Sequence, residues 1–274
     1  MNHNKKLLFA ISIGWISVGC GPSGPTSAPE ELFMGHSFFK PFANNMVSLQ
    51  EANGLEAKSM ELVFSGGSNG APQAMWEDDS NRNTLQGFLD GGNVELFAMT
   101  YEPTYPTEEG YHNWIGYALE SNPDVTFVLA LPWSDFPESE DYDNAEDYAD
   151  TWHEAHDSSW LSLVNSLRAT YPDNEFLSLP YGQSALELRA LFEAGNLPDV
   201  DVLTSNVNDS STENDVGIFV DDKGHADEIL VDLGTLVWGS VLYDIEPTND
   251  FSSAVYETDL ASIAKQIVDE HKED

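Results

Sequence analysis

VTFVLAL, residues 125–131, is a run of apolar residues that contains no charged side chain. A strand with one face in water alternates apolar and polar residues, whereas a strand of a parallel sheet covered on both faces is apolar along nearly its whole length. The run therefore predicts a central strand of a parallel sheet that has helices on both sides.

The segments on either side of this run repeat the same alternation of strand and helix. Short apolar segments predict strands at 31–34, 59–64, 94–100, 125–131 and 175–179. Apolar residues at helical spacing predict helices at 39–53, 83–89, 111–121, 145–171, 184–194, 227–243 and 259–271. Strands that alternate with helices are typical of a parallel sheet. We therefore predict an α/β fold of the flavodoxin-like type, a three-layer α/β/α sandwich around a central parallel sheet.

The first residues resemble an export signal. Lys5 and Lys6 precede a short apolar run that ends in small residues before Cys20, the only cysteine. This order predicts a lipoprotein-type signal peptide at 1–20, lipidation of Cys20 and a flexible Gly/Pro/Ser tether at 21–29. The protein would then be an outer-membrane lipoprotein facing the periplasm or the cell surface. The alternative is a secreted protein with an incidental cysteine. Residues 30–274 are expected to form a single domain.

The chain is strongly acidic, with 48 Asp+Glu against 10 Lys+Arg and a formal net charge of −38. Such a surface repels nucleic acids and anionic membranes. We therefore expect no nucleic-acid partner, and we expect contact with a membrane only through the lipid anchor. We predict a marine or saline habitat, where salt screens the repulsion between acidic groups. The acidic run at 138–150 lacks the EF-hand spacing, so no metal site is predicted.

Several polar or glycine-rich segments directly follow predicted strands. They are Ser37, the loop at 66–70, residues 100–102 and residues 132–133. Ligands of parallel α/β sheets bind at the carboxyl ends of the strands, so these segments are the expected site. Ser37 has two interpretations: it caps the helix that follows, or it is a nucleophile on a tight turn.

A nucleophilic serine needs a histidine to accept its proton and a carboxylate to orient that histidine. His36 adjoins Ser37 and should point away from it. His153 and His156 belong to the sequence His-Glu-Ala-His, which is not the zinc-protease motif. His225 is therefore the candidate base, and Asp222 precedes it by three residues.

The order of three short motifs resembles the SGNH/GDSL hydrolase superfamily over residues 30–245. They are FMGHSFF from 33, SGGSNGAPQAMW from 65 and DDKGHADEILVDLGTLVWGSVLY from 221. The resemblance implies Ser37 as nucleophile, His225 as base and Asp222 as its partner. It also implies an oxyanion hole formed by the amides of Ser37 and of Gly70 or Gly67, with no metal or organic cofactor.

The sequence departs from the third motif of that superfamily. Where Gly-x-Asn-Asp is usual, this chain has Thr-Tyr-Glu-Pro at 100–103, so the asparagine that donates to the oxyanion is absent. Asn69 or Tyr101 is the candidate replacement. Tyr101, Trp133 and His36 are predicted to contact substrate.

These features predict an exported, monomeric serine esterase that hydrolyses carboxylic esters. For an exported, anchored member, the resemblance implies polysaccharide acetyl groups or lipid esters as substrates. Because an acidic surface disfavours anionic substrates, acetyl esters on neutral glycans are the first expectation. The alternative is a catalytically weak or inactive surface protein of the same fold that binds a glycan, which the missing asparagine favours.

Overall fold

The computed structural model describes residues 29–105, 107–205, 215–251 and 254–271, apart from the side chain of Asp157. The predicted signal peptide, Cys20 and the tether up to residue 28 lie outside the described residues. Among the helices in these ranges, none is long and apolar enough to cross a membrane.

The centre of the fold is a five-stranded sheet in which every neighbouring pair is parallel. Its strands are β1 (Glu31–Gly35), β2 (Met60–Phe64), β3 (Leu96–Thr100), β4 (Thr126–Ala130) and β5 (Phe176–Leu179). The strand order is β2-β1-β3-β4-β5, which is the flavodoxin-like order of doubly wound sheets. The predicted fold class is confirmed, and all five predicted strands are present.

Helices cover both faces of the sheet. They are α1 (Lys40–Ala52), α2 (Pro72–Glu77), α3 (Asp79–Leu89), α4 (Glu108–Ser121), α5 (Ala145–Ala155), α6 (Leu161–Thr170), α7 (Gln183–Glu193), α8 (Glu228–Tyr243) and α9 (Leu260–His271). One apolar cluster packs α1, α7, α8 and α9 against one face of the sheet. A second cluster packs α2, α3, α4, α5 and α6 against the opposite face. Successive side chains of a strand point to opposite faces, so each buried strand contributes to both clusters.

Strand β1 illustrates this division. Phe33 packs in the first cluster with Trp238 of α8, while Leu32 and Met34 pack in the second, and all three are fully buried. Burial of a large apolar side chain stabilises a fold by about 1.5–3 kcal/mol. The strand that leads to Ser37 is therefore held from both sides.

Two segments differ from the sequence-based prediction. The helix expected at 145–171 is divided into α5 and α6 by a π-helical segment, His156–Trp160. Within that segment the rings of His156 and Trp160 lie 5.1 Å apart. A second, two-stranded parallel sheet, β6 (Val202–Thr204) with β7 (Gly217–Phe219), was not predicted. Its strands are too short to show a period in the sequence.

Candidate active site

Ser37 lies on a tight turn between β1 and α1. The carbonyl of His36 accepts hydrogen bonds from the amides of Phe39 and Lys40, both at 3.1 Å. The residue before the first turn of α1 is Phe39, and no side chain caps the helix there. The hydroxyl of Ser37 is instead hydrogen bonded to His225. The helix-cap interpretation of Ser37 is therefore wrong.

The turn with Ser37 is pressed against the loop that follows β2. A Cβ added at Gly70 would lie 2.7 Å from Cβ of His36 and 2.8 Å from the carbonyl of Gly35. Backbone cannot give way at such distances, so only glycine fits at position 70. Gly70 thus fixes where the Ser37 turn lies relative to the 3-10 turn Gly67–Gly70.

Ser37, His225 and Asp221 form a continuous chain of hydrogen bonds. Nε2 of His225 lies 2.8 Å from Oγ of Ser37, and Nδ1 lies 2.7 Å from Oδ2 of Asp221. A carboxylate only accepts, so the ring proton is assigned to Nδ1. Nε2 then accepts from the serine hydroxyl, which is the arrangement that a serine nucleophile and its general base require.

The sequence predicted Asp222 as the carboxylate partner of His225, and this prediction is wrong. The carboxylate that is hydrogen bonded to His225 belongs to Asp221. Asp222 is exposed, whereas Asp221 is half-buried and turned toward the ring. Oδ1 of Asp221 also accepts from the amides of Gly224 and His225, both at 3.1 Å. Gly224 adopts a left-handed conformation with φ of +93° and closes the turn. This conformation brings Asp221, four positions before His225, back to the His225 ring.

The same hydrogen bonds set the protonation of Asp221. Partial burial raises the pKa of its carboxyl group, but the hydrogen bonds from the amide and ring of His225 and from the amide of Gly224 outweigh that effect. The pKa is held below its ordinary value, so the group is an anion at neutral pH and favours the Nδ1–H tautomer of His225.

The loop after β4 holds the turn that contains His225. Nε1 of Trp133 donates to the carbonyl of Gly224 at 2.8 Å, and the amide of Phe136 donates to the carbonyl of Lys223 at 2.9 Å. The ring of Phe38 stacks on Trp133 and meets the ring of His225 edge to face, with centroids 4.8 Å and 5.2 Å apart. These contacts fix His225 opposite Ser37.

His36 is almost fully buried beside the site. Its Nδ1 accepts from the amide of Phe38 at 3.2 Å, so Nε2 carries the proton and faces Thr100 Oγ1 at 3.2 Å and the carbonyl of Tyr101 at 3.4 Å. Both ring nitrogens are thus hydrogen bonded outside the triad, so His36 is not the base, as expected of a residue adjacent to Ser37. Burial lowers the pKa of His36 from 6.5 to about 4, although the negative charge of Glu102 acts to raise it. The neutral ring therefore braces the Ser37 turn.

This burial predicts a pH-dependent stability. Between about pH 4 and 6.5 the unfolded chain binds a proton at His36 that the folded chain excludes. The free energy of unfolding should thus fall as the pH is lowered through this window, by up to about 1.4 kcal/mol per pH unit from this group. Urea unfolding of the wild type and of His36→Asn at several pH values measures it. The stability advantage of the wild type over the variant should shrink toward pH 4, and parallel pH profiles would contradict the prediction.

A cavity of about 450 Å³ opens over Ser37, a volume typical of small-molecule sites. Of the predicted contacts, His36, Ser37, Gly67 and Trp133 line it. Tyr101 is buried, and Asn69 is exposed on the 3-10 turn. Neither these two residues nor Gly70 is among the described residues that line the cavity. Among the described residues, no hydrogen bond joins Tyr101 or Asn69 to Ser37, so neither gains support as the replacement for the missing asparagine.

The cavity also contains three charged residues to which the sequence analysis assigned no role. Glu102, Asp135 and Lys223 line the same cavity. Glu102 and Asp135 follow β3 and β4 at the carboxyl edge of the sheet. Their position after predicted strands therefore indicated in the sequence that they could lie at the site. Lys223 lies between Asp221 and His225 on the turn that bears them.

His153 lies on α5, and His156 is the first residue of the π-helical segment. In the described ranges, no group of three or more His, Cys, Asp or Glu side chains is arranged to hold a metal ion. The ring of His156 stacks on Trp152 at 5.0 Å and belongs to the aromatic packing around the π-helical segment.

Comparisons with known proteins find little in common with this chain at the level of sequence. No family model matches the chain, and no curated protein matches it. Among solved structures, the chain is similar to the periplasmic domain of a lipopolysaccharide acetyltransferase from Salmonella ser. Paratyphi A. The match has 13% identity and a TM-score of 0.37, and it covers 57% of this chain and 67% of that domain. A function has to be inferred from the geometry at Ser37 and not from this likeness.

Proposed function

We propose that this protein is an exported serine esterase of the SGNH/GDSL type that hydrolyses carboxylic esters. The single observation that carries this proposal is the hydrogen-bond chain from Ser37 through His225 to Asp221, which begins at a serine that lines a cavity. Ser37 and His225 are 188 positions apart in the sequence. A merely structural serine needs no such partners.

The reaction follows from the roles that this geometry allows. Oγ of Ser37 attacks the ester carbonyl carbon while its proton passes to Nε2 of His225. The carbonyl electron pair moves to oxygen, and the tetrahedral intermediate collapses as the alcohol leaves with the proton from His225. Water, activated by the same ring, then releases the acid from the acyl-enzyme. Asp221 remains an anion and stabilises the imidazolium at both stages.

The developing oxyanion needs hydrogen-bond donors close to Ser37. Among the described residues the amide of Ser37 has no hydrogen-bond acceptor, so it is available. Gly67 lines the cavity at the first position of the 3-10 turn, with φ of +57°. The first amides of such a turn have no partner within it. We assign these two amides to the oxyanion hole.

The cavity favours an uncharged ester with a polar alcohol. Its walls include the hydroxyl groups of Thr104, Tyr142 and Thr151, which can bond to sugar hydroxyls. The carboxylates of Glu102 and Asp135 accept hydrogen bonds from such hydroxyls and repel anionic substrates. Acetyl esters on neutral glycans fit these walls. Export through the signal at 1–20, with a lipid on Cys20, would give the enzyme access to such glycans.

A panel of esters tests the proposal. We expect hydrolysis of p-nitrophenyl acetate in buffer with molar salt, with activity that falls as the acyl chain lengthens, and release of acetate from acetylated neutral glycans. Glycan binding without hydrolysis of any ester would instead support the alternative of an inactive binding protein. Preference for long acyl chains would overturn the glycan-acetate assignment while leaving the esterase assignment in place.

A further inference from the structure

Lys223 differs from the other described lysines and arginines in its surroundings. Each of the others has an ion-pair, hydrogen-bond or ring partner, as seen for Lys40, Lys58, Arg82, Arg168, Arg189 and Lys265. Within the part of the chain that the structure describes, no hydrogen bond or ion pair holds Nζ of Lys223. The positive charge of Lys223 does act on Asp135, where it opposes the rise that burial causes in the pKa of that carboxyl group. Acidic residues outnumber basic ones 48 to 10, so an ammonium group that none of the described carboxylates holds at ion-pair distance is unexpected and points to another use.

The position of this ammonium group is at the candidate oxyanion hole. Lys223 lines the cavity over Ser37. A Cβ added at Gly67 would lie 3.5 Å from Nζ of Lys223, so the ammonium lies beside the backbone that supplies one of the two assigned amides. The base of the side chain is fixed, because the carbonyls of Lys223 and Gly224 accept from Phe136 and Trp133.

The chemistry at this position calls for a further donor. The superfamily that the sequence resembles uses an asparagine after the third strand, and this chain has Thr-Tyr-Glu-Pro there. The candidate replacements, Tyr101 and Asn69, are not among the described residues that line the cavity. Lys223 is the cationic donor that the described lining contains.

We propose that the ammonium group of Lys223 donates a hydrogen bond to the oxyanion and replaces the absent asparagine. The inference rests on the proposed esterase function. As Oγ of Ser37 bonds to the carbonyl carbon, the π pair moves to the carbonyl oxygen, and the negative charge forms beside Nζ. Lys223 stays protonated throughout, and the proton of Ser37 goes to His225. When the carbon–oxygen bond to the alcohol breaks, the pair returns and the charge disappears.

A role in binding an anionic group of the substrate is the competing explanation. Glu102 and Asp135 line the same cavity, and their charges oppose the entry of a second anion. An oxyanion that exists only after attack by Ser37 needs no anion to enter. The two roles differ in kinetics: an oxyanion donor acts on kcat, and a substrate-charge contact acts on KM.

The test compares Lys223→Met and Lys223→Arg with the wild type on p-nitrophenyl acetate, which has no anionic group. Loss of one oxyanion donor lowers kcat by about 10²- to 10³-fold, so Lys223→Met should lose about 10²-fold in kcat with KM changed less than about threefold. Lys223→Arg keeps a cationic donor and should retain most of the activity. Lys265→Met removes the same charge from α9 and should behave as the wild type. Lys223→Gln replaces the methionine variant if thermal melting shows that the latter is unfolded.

A second readout uses a fluorophosphonate, whose phosphoryl oxygen also gains charge when Ser37 attacks. Its rate of reaction with Ser37 should fall in Lys223→Met by a factor similar to the loss in kcat. If kcat and this rate stay within about threefold of the wild type, the Lys223 inference is wrong and the esterase proposal stands. A raised KM with unchanged kcat would likewise overturn the inference. A wild type inert to both reagents would overturn the esterase proposal, and the inference with it.

Discussion

Ser37→Ala is expected to lower ester hydrolysis by about 10⁴-fold or more, because the acyl-enzyme cannot form without its oxygen. The hydroxyl of Ser37 is bonded only to His225 among the described residues and caps no helix. Its loss should therefore leave the fold intact. Steady-state rates on p-nitrophenyl acetate, with thermal melting of both proteins, measure the effect.

Ser134→Ala is the matched control, since Ser134 lines the same cavity but has no histidine partner among the described residues. It should keep the activity of the wild type to within a few-fold. Equal loss in the two variants would mean that the cavity, rather than a nucleophile at position 37, supports the reaction. Unchanged activity in Ser37→Ala would remove Ser37 from the mechanism.

Asp221→Asn is expected to lower kcat by about 10³- to 10⁴-fold, because an amide that donates to Nδ1 stabilises the wrong tautomer of the base. Oδ1 of the new side chain can still accept from the amides of Gly224 and His225, as Asp221 does now. The turn should survive, so the loss should appear in kcat with little change in melting temperature.

Asp222→Asn makes the same change of charge one residue further along, on an exposed side chain. The Asp222→Asn substitution should lower kcat by less than about tenfold. The pair of variants decides between the carboxylate that the sequence motif suggested and the one that the structure places on His225. The reverse order of effects would show that Asp222, and not Asp221, orients the base.

The sheet could be predicted from the sequence because its strands are buried on both faces. Runs such as VTFVLAL are apolar along nearly their whole length, as strands covered on both faces are, and the glycine and polar residues after them mark the edge where the site forms. The pairing of Ser37 with His225 followed from chemistry, since few histidines were free to serve. Each of these predictions rests on several residues, so the backbone conformation at any one position does not change the result.

The details that could not be predicted depend on single backbone angles or on contacts between segments that are far apart in the sequence. Whether Asp221 or Asp222 faces the ring is decided by the left-handed conformation of Gly224, which reverses the chain between the acid and the base. Tyr101 was expected at the cavity, but it is buried, while its neighbour Glu102 lines the cavity. The position of Lys223 beside Gly67 joins segments far apart in sequence, and no local pattern announces such a contact.

The most direct test of Ser37 as an activated nucleophile is mass spectrometry of the intact and digested protein after reaction with a fluorophosphonate. We expect one adduct per chain, on the peptide that contains Ser37, and a greatly reduced yield in His225→Ala under the same conditions. An adduct on another serine, or a wild type that forms none while folded, would contradict the assignment of Ser37.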